Sequence, residues 1–273
     1  LKQREYYSAG HGCVVVMETK TGHIKAISNL GRADDGSYYE TQNYAITESH
    51  EPGSTFKLVD LIAVKKKKKA DTSKIYDSKG GVIEYSGRKV RDSKPGGYGK
   101  ISLARGFELS SNTVLVQSVY DSYKNNPKQF VDRINSYGLN KPLGLPIKGE
   151  GKPVIPQPGT NRWSGVALPW MAFGYGLSVT PLQTLTLYNA VANDGVMVKP
   201  IFVSEIKEWN KTIKKYNTEV INPKICSQET LDKVQAVLEN VVKKGTGSKL
   251  YSKDFSMAGK TGTAQVNYKD KSK

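Results

Sequence analysis

The chain has little cysteine, little histidine and no long apolar run. Two cysteines, Cys13 and Cys226, are all that 273 residues carry. They lie too far apart in sequence to form a disulfide framework, and they fix no redox compartment. Cys13 sits in the apolar stretch GCVVVM, which reads as a buried strand with the thiol as a small hydrophobe. The three histidines, His11, His23 and His50, show no metal-ligand spacing with the cysteines, so no metal or other cofactor is expected. No run of about 18 apolar residues is present, which excludes a transmembrane helix within these residues, and no signal peptide is visible. Acidic residues are also few. There are 25 Asp and Glu against 41 Lys and Arg, for a formal net charge of +16. Such a balance suits a nucleic acid, an anionic surface or an acidic polymer. The densest basic run, Lys65 to Lys69, directly follows the helical stretch LVDLIAV and reads as a solvated helix end complementing the macrodipole. No aromatic residues interleave with it, so a nucleic-acid partner is not expected.

The length supports one large domain or two small ones. VVVM and IKAIS flank a turn at Gly22 and predict a hairpin. Residues 71–100 read as a loop with a short hairpin. Helices follow. Ser102 caps LARGFEL, Asn112 caps TVLVQSVYDSY, and Asn126-Pro127 opens KQFVDRINSY, which Gly138 closes. Thr180-Pro181 with Gln183 forms a capping-box start, and Ser227 opens the amphipathic QETLDKVQAVLENVVKK. Residues 196–207 and SMAGKTGTAQV read as strand. The expectation is an α+β fold. A mostly antiparallel sheet draws on residues 12–30 and 255–266, packed with helices, and an all-helical block covers roughly 53–195.

Three short strings carry chemistry. In EPGSTFK, Pro-Gly marks a turn, and Phe56, Val59, Ile62 and Ala63 then recur at helical spacing. Ser54 therefore lies near a helix N-terminus with Lys57 one turn later on the same face. Ser110-Ser111-Asn112 falls between two predicted helices, and Lys260-Thr261-Gly262-Thr263 lies on the last predicted strand. Taken singly, Ser54 is as good an N-cap, Lys57 a solvated lysine, Asn112 a cap and Lys260 an edge-strand charge. Taken in order, they make a nucleophile and its base. A serine hydroxyl needs a proton acceptor, and a lysine amine serves once burial or nearby cations lower its pKa. Lys260 supplies such a cation, Ser110 relays a proton, and Asn112 holds Lys57 and a substrate amide. The N–H groups of Ser54 and Thr263 face a developing oxyanion. Lys260, Thr261 and Thr263 cradle a carboxylate, and Gly262 leaves room for close backbone approach to a ligand.

The ordered set S-x-x-K, S-x-N and K-T-G resembles that of serine β-lactamases and penicillin-binding proteins. The string NYAITESHEPGSTFK, the hairpin VVVMETKTGHIKAISN, the segment FGYGLSVTPLQ and the final KTGTAQ look like the transpeptidase domain of a class B penicillin-binding protein of the division type. The resemblance covers essentially the whole sequence. It implies Ser54 as acylated nucleophile, Lys57 as general base, and Ser110 and Asn112 as the second catalytic element. It implies Lys260, Thr261, Gly262 and Thr263 as the substrate-binding strand. Substrates would be peptidoglycan stem peptides ending in D-Ala-D-Ala, with β-lactams as mimics and divisome or glycosyltransferase membrane proteins as partners. It also implies a site on the outer face of the bacterial cytoplasmic membrane, together with an N-terminal anchor, a pedestal domain and further C-terminal strands outside these 273 residues.

Two readings within the same chemistry compete. A serine β-lactamase needs a water-activating group, which class A enzymes take from a Glu between the second and third motifs. Glu150, in KGEGKP, does not resemble the E-x-x-L-N string that supplies it. A β-lactam-binding sensor or scaffold would keep the pocket without turnover. Tyr175, between two glycines, reads as a turn aromatic outside the site.

Overall fold

The structure, a computed structural model, describes residues 9–65 and 71–264. In chain order its elements are β1 (His11–Met17), β2 (Ile24–Arg32), β3 (Tyr38–Tyr39), α1 (Tyr44–Thr47), α2 (Lys57–Lys65), β4 (Ile75–Asp77), β5 (Val82–Tyr85), β6 (Arg88–Arg91) and β7 (Lys100–Ser102). They continue with α3 (Leu103–Glu108), α4 (Asn112–Tyr123), α5 (Pro127–Ser136), α6 (Ala167–Met171), α7 (Pro181–Ala192), β8 (Met197–Val198), β9 (Glu205–Glu208), β10 (Lys211–Lys215), β11 (Val220–Asn222) and α8 (Gln228–Lys244). The fold is α+β, and its strand ladders are antiparallel. The residues cluster into two compact units. One takes residues up to His50, Tyr137–Pro153 and Val179–Ile225; the other takes Glu51–Ser136, Val154–Ser178 and the residues from Cys226 on.

In the first unit the strand order is β1-β2-β3, with β1 and β2 joined by the turn at Gly22 (φ +79°). The prediction of a buried strand at Cys13 is corrected here. Among the described residues β1 is an edge, Cys13 is half-buried, and Val14 and Val16 are 61% and 51% exposed. A continuous apolar run cannot by itself tell two covered faces from one. Helix α7 starts with the expected capping box. The Thr180 hydroxyl accepts from Gln183 N–H, and the Gln183 side chain accepts from Thr180 N–H.

The second unit is built around α2. Leu58, Val59, Leu61, Ile62, Ala63 and Val64 are all fully buried, and the helix packs against α4, α5 and α8. Each buried Leu or Ile contributes about 2 kcal/mol relative to exposure. Two antiparallel pairs, β4-β7 and β5-β6, border these helices. The expected helical block is thus interrupted by four short strands, and α7, placed in that block from sequence, belongs to the first unit. A second correction concerns the last predicted strand. Residues 256–264 carry no strand assignment and join no ladder among the described residues. Alternation of small and apolar residues marks an extended chain, but a strand also needs a hydrogen-bonded neighbour. Residues 66–70 and 265–273, with most of the lysine run and the end of the expected strand, lie outside the described residues.

Helices α3 and α4 meet at Gly106, where a Cβ would stand 2.5 Å from Val114 Cγ1. This contact fixes the Ser110-Ser111 turn, because Ser111 N–H donates to Gly106 C=O at 2.7 Å. Gly106→Ala is expected to cost about 1–3 kcal/mol through overpacking. The check is a lower urea midpoint at unchanged slope.

Candidate active site

Ser54 is the second residue of a 3-10 turn, Gly53–Phe56, that runs directly into α2. An N–H at this position has no acceptor within its own helix. Gly53 holds the turn close to two other segments. It has φ +54°, and its N–H donates to Gly174 C=O at 3.1 Å. A Cβ on Gly53 would lie 2.5 Å from Thr263 C=O, and one on Gly174 would lie 2.0 Å from Gly53 C=O. Gly262 has a role within the chain besides the expected one. A Cβ there would lie 2.7 Å from Thr55 Cγ2, so its bareness makes room for the neighbouring turn of this same chain. The Ser54 hydroxyl has no hydrogen-bond partner among the described residues and opens onto a cleft of about 1000 Å³.

Lys57 is fully buried. Its Nζ donates to Ser110 C=O at 2.8 Å and to Asn112 Oδ1 at 2.6 Å, and it lies 3.2 Å from Ser110 Oγ. Burial, reinforced by the Lys260 ammonium, drives its pKa well below the ordinary lysine value, against the pull of Asp60 and Asp92. A neutral amine has two N–H donors and one lone pair. The carbonyl and the amide oxygen take both donors, which leaves the lone pair for a hydroxyl proton. Lys260 approaches from the other side. Its Nζ donates to Ser110 Oγ at 2.8 Å and to Thr261 C=O at 2.9 Å, and desolvation brings its pKa down to about 8. Ser110 Oγ therefore sits between two amines. Ser110 itself adopts φ +57°, a left-handed conformation uncommon for serine, which turns its carbonyl and hydroxyl toward the same amine.

The predicted residues Ser54, Lys57, Ser110, Asn112, Lys260, Thr261, Gly262 and Thr263 all fall in the second unit. Ser54, Ser110, Asn112, Thr261 and Thr263 line the cleft, and Thr261 Oγ1 lies 2.6 Å from Thr246 Oγ1. One residue's assignment shifts. Asn112 does not cap α4; Ser111 does, with its hydroxyl accepting from Val114 N–H. Asn112 is thereby free to face Lys57, and its Nδ2 donates to Arg91 C=O at 2.7 Å, which fixes the amide's orientation.

Three features escaped sequence reasoning. Asp92 binds the start of α4 from below, accepting from Ser111 Oγ, Thr113 N–H and Thr113 Oγ1 at 2.8–3.1 Å. Nothing in RKVRDSKPGG marks that role. Asp60, one turn after Lys57, is fully buried with neither carboxylate oxygen hydrogen-bonded among the described residues, and burial raises its pKa well above the usual range. A lone Asp inside LVDLIAV was the available signal. Trp170 meets Phe173 edge-on, Phe173 meets Tyr175 at a tilt, and all three line the cleft, so Tyr175, set aside from sequence, borders the site. Glu150 is occupied elsewhere. Its carboxylate accepts the N–H groups of Leu143, Gly144 and Leu145.

Residues 12–273 match the family described as penicillin binding protein transpeptidase domain. The chain is 29% identical over 264 residues to Stage V sporulation protein D of Bacillus subtilis, covering 92% of this chain and 39% of that protein. It is 27% identical over 269 residues to peptidoglycan D,D-transpeptidase FtsI of Escherichia coli strain K12, covering 95% of this chain and 42% of that protein. The chain thus spans about two fifths of the length of these relatives. Among solved structures, the D,D-transpeptidase domain of a peptidoglycan glycosyltransferase from Eggerthella lenta superposes with a TM-score of 0.85 at 26% identity, over 97% of this chain and 69% of that one. Penicillin binding protein 3 of Mycobacterium tuberculosis in complex with aztreonam gives 0.82 at 26% identity, over 96% of this chain and 60% of that one.

Asp92→Ala removes a charged acceptor from three donors. It is expected to cost about 2–3 kcal/mol of stability, read from denaturant unfolding. A change below about 0.5 kcal/mol, as for an ordinary surface substitution, would show that Asp92 does not anchor the turn.

Proposed function

The chain belongs to the penicillin-binding protein transpeptidase family, and on that premise we propose that it is a serine D,D-transpeptidase that cross-links peptidoglycan stem peptides. The observation that carries this reading is the environment of Lys57, an amine buried in an apolar helix one turn after Ser54, with its donors committed and its cationic form disfavoured. Lys57 takes the Ser54 proton as Oγ attacks the penultimate D-Ala carbonyl. The oxyanion is met by the N–H groups of Ser54 and Thr263. The proton then passes through Ser110 Oγ to the departing D-Ala nitrogen, the C–N bond breaks, and an ester on Ser54 remains. An acceptor amine attacks that ester and gives up a proton to the same lysine and serine pair, the acyl C–Oγ bond breaks, Lys57 returns a proton to Ser54 Oγ, and the acyl group leaves as a new amide. Lys260, Thr261 and Thr263 hold the terminal carboxylate of the donor. One relative is named a peptidoglycan D,D-transpeptidase, and the division-type resemblance of the sequence favours septal wall synthesis. The site would then work outside the cytoplasmic membrane beside divisome or glycosyltransferase proteins. Among the described residues no helix is long and apolar enough to cross a membrane.

The same geometry favours a target over a resistance enzyme. Asp92 is the single carboxylate lining the cleft among the described residues, and its oxygens are taken by Ser111 and Thr113. Among the described residues no uncommitted carboxylate lines the cleft to activate a deacylating water. Intact mass after incubation with penicillin G is therefore expected to show a persistent adduct of one penicillin, absent in Ser54→Ala. Rapid loss of the adduct would favour a β-lactamase. A stable adduct without release of D-Ala from a stem peptide would favour a sensor.

A pH profile tests the carboxylate cradle. Lys260 binds an anion only while protonated, and its pKa lies near 8, below the ordinary lysine value. Its charge is lost as pH rises through that point. The kcat/KM for a carboxylate-bearing substrate is expected to fall on the alkaline side with an apparent pKa near 8. Lys260→Arg keeps the charge and is expected to abolish that limb. A limb that persists in the arginine variant would assign it to another group.

A further inference from the structure

The cleft does not stop at the motif residues. It continues along residues 87–93, with Trp170, Phe173 and Tyr175 also lining it. The β5-β6 hairpin turns through Ser86 and Gly87, at φ +48° and +74°, a two-residue turn with both central residues left-handed. Its register pairs Tyr85 with Arg88, Ile83 with Val90 and Val82 with Arg91. In a two-residue hairpin the residues flanking the turn exchange hydrogen bonds, and alternate pairs thereafter do the same. Asp92 N–H donates to Gly81 C=O at 2.9 Å, which extends that alternation by one more pair. The backbone groups of Arg88, Val90 and Asp92 therefore point at β5, and those of Lys89 and Arg91 point away from it. Arg91 C=O bears this out by accepting from Asn112 Nδ2. Lys89 N–H, Lys89 C=O and Arg91 N–H have no partner among the described residues. The hairpin is a two-stranded sheet, so this side of β6 is a free edge, and it begins at a residue of the second motif.

The edge is also charged. Arg88, Lys89 and Arg91 are exposed, line the cleft and form no ion pair among the described residues. Glu84 stands opposite Lys89 in register without pairing with it, and Asp92 is committed to α4. A free strand edge recognises an extended peptide through main-chain hydrogen bonds. From Arg88 to Arg91 the edge runs about 10 Å, enough for two or three peptide units.

We infer that the free edge of β6 is a subsite for the donor stem peptide, which adds there as a strand, and that Arg88 and Lys89 recognise a carboxylate it carries upstream of D-Ala-D-Ala. The inference rests on the transpeptidase reading, which gives the cleft its occupant. With the terminal carboxylate at Lys260 and Thr261, the rest of the peptide must leave in the other direction, and the arm of the cleft bordered by β6 receives it. A stem peptide suits that arm. A glutamate linked through its side-chain carboxyl keeps its α-carboxylate free, about ten bonds upstream of the scissile carbonyl, a reach comparable with the length of the edge.

The test is protection of Ser54 from penicillin G, followed by intact mass, with two competitors. One is the pentapeptide L-Ala-γ-D-Glu-L-Lys-D-Ala-D-Ala; the other is the same peptide with the free glutamate carboxyl converted to an amide. The unsubstituted protein is expected to bind the carboxylate peptide roughly fivefold more tightly. In the double variant Arg88→Ala, Lys89→Ala that ratio is expected to fall to about one; taking the ratio within each protein cancels any change in acylation rate. Lys89→Pro deletes the outward N–H at a position where an edge strand tolerates proline. Against Lys89→Ala it is expected to weaken protection by both peptides about fivefold. A ratio of one in the unsubstituted protein, no protection by either peptide, or a ratio unchanged in the double variant would overturn the charged subsite. Equal protection in the proline and alanine variants would overturn strand addition. Failure of penicillin to acylate the unsubstituted protein would instead remove the transpeptidase reading, and the subsite with it.

Discussion

The second unit is arranged around one difficult burial, the amine of Lys57. An ammonium moved into an apolar interior costs several kcal/mol unless it is hydrogen-bonded or gives up its proton. The helix that carries it has no alternative to burying it, because the residues on every side of Lys57 in α2 are core. Acceptors must therefore be brought to it. They come from the turn between α3 and α4 and from the first residue of α4, Ser110 C=O and Asn112 Oδ1, and Ser110 adopts a left-handed backbone as it turns its carbonyl to the amine. The strain of that conformation, on the order of 1 kcal/mol, is small beside the cost of a buried amine without partners. Ser111 and Asp92 then hold the start of α4, and Gly106 lets α3 approach closely enough for the turn to reach.

The same constraint explains why glycines crowd the site. Gly53, Gly174 and Gly262 lie where three segments pass within van der Waals distance of one another, and at each a methyl group would overlap a backbone or side-chain atom. Removing the side chains brings the Ser54 turn and the Thr263 segment together without a spacer. In the proposed reaction this closeness would let the backbone N–H groups of Ser54 and Thr263 meet an oxyanion together, as main-chain donors that need no reorganisation as charge develops.

How much of this was legible in the sequence depended on distance along the chain. The starts at Ser102, Thr180 and Ser227 were readable because a cap is a contact between residues two or three apart. The Ser54 and Lys57 spacing was readable for the same reason. Asn112 was misassigned by one residue: Ser, Ser and Asn are all good caps, and the choice was made by Asp92 twenty residues away. The open face of β1 was hidden because an apolar run does not announce whether one or both faces are covered. The Lys260 segment matched a strand pattern but lacks a ladder partner among the described residues. Asp92, the aromatic trio and the edge of β6 carry no local signature, since each acquires its meaning from a neighbour brought up by the fold.

Asp60 completes the electrostatics of the buried helix. It lies three residues after Lys57, and its carboxyl meets no hydrogen-bond donor among the described residues. If ionised, it would draw a proton onto Lys57 and raise that amine's pKa, opposing its use as a base. Burial pushes Asp60 the other way, toward the protonated acid, just as it pushes Lys57 toward the neutral amine. The two shifts reinforce each other, because a neutral acid beside a neutral amine leaves no charge in the core, whereas ionising either one strands a charge there. Lys260 biases the balance further. Its cation lies across Ser110 from Lys57, where it disfavours a second ammonium. A chain with a large excess of positive charge thus disfavours that charge on its one fully buried motif lysine.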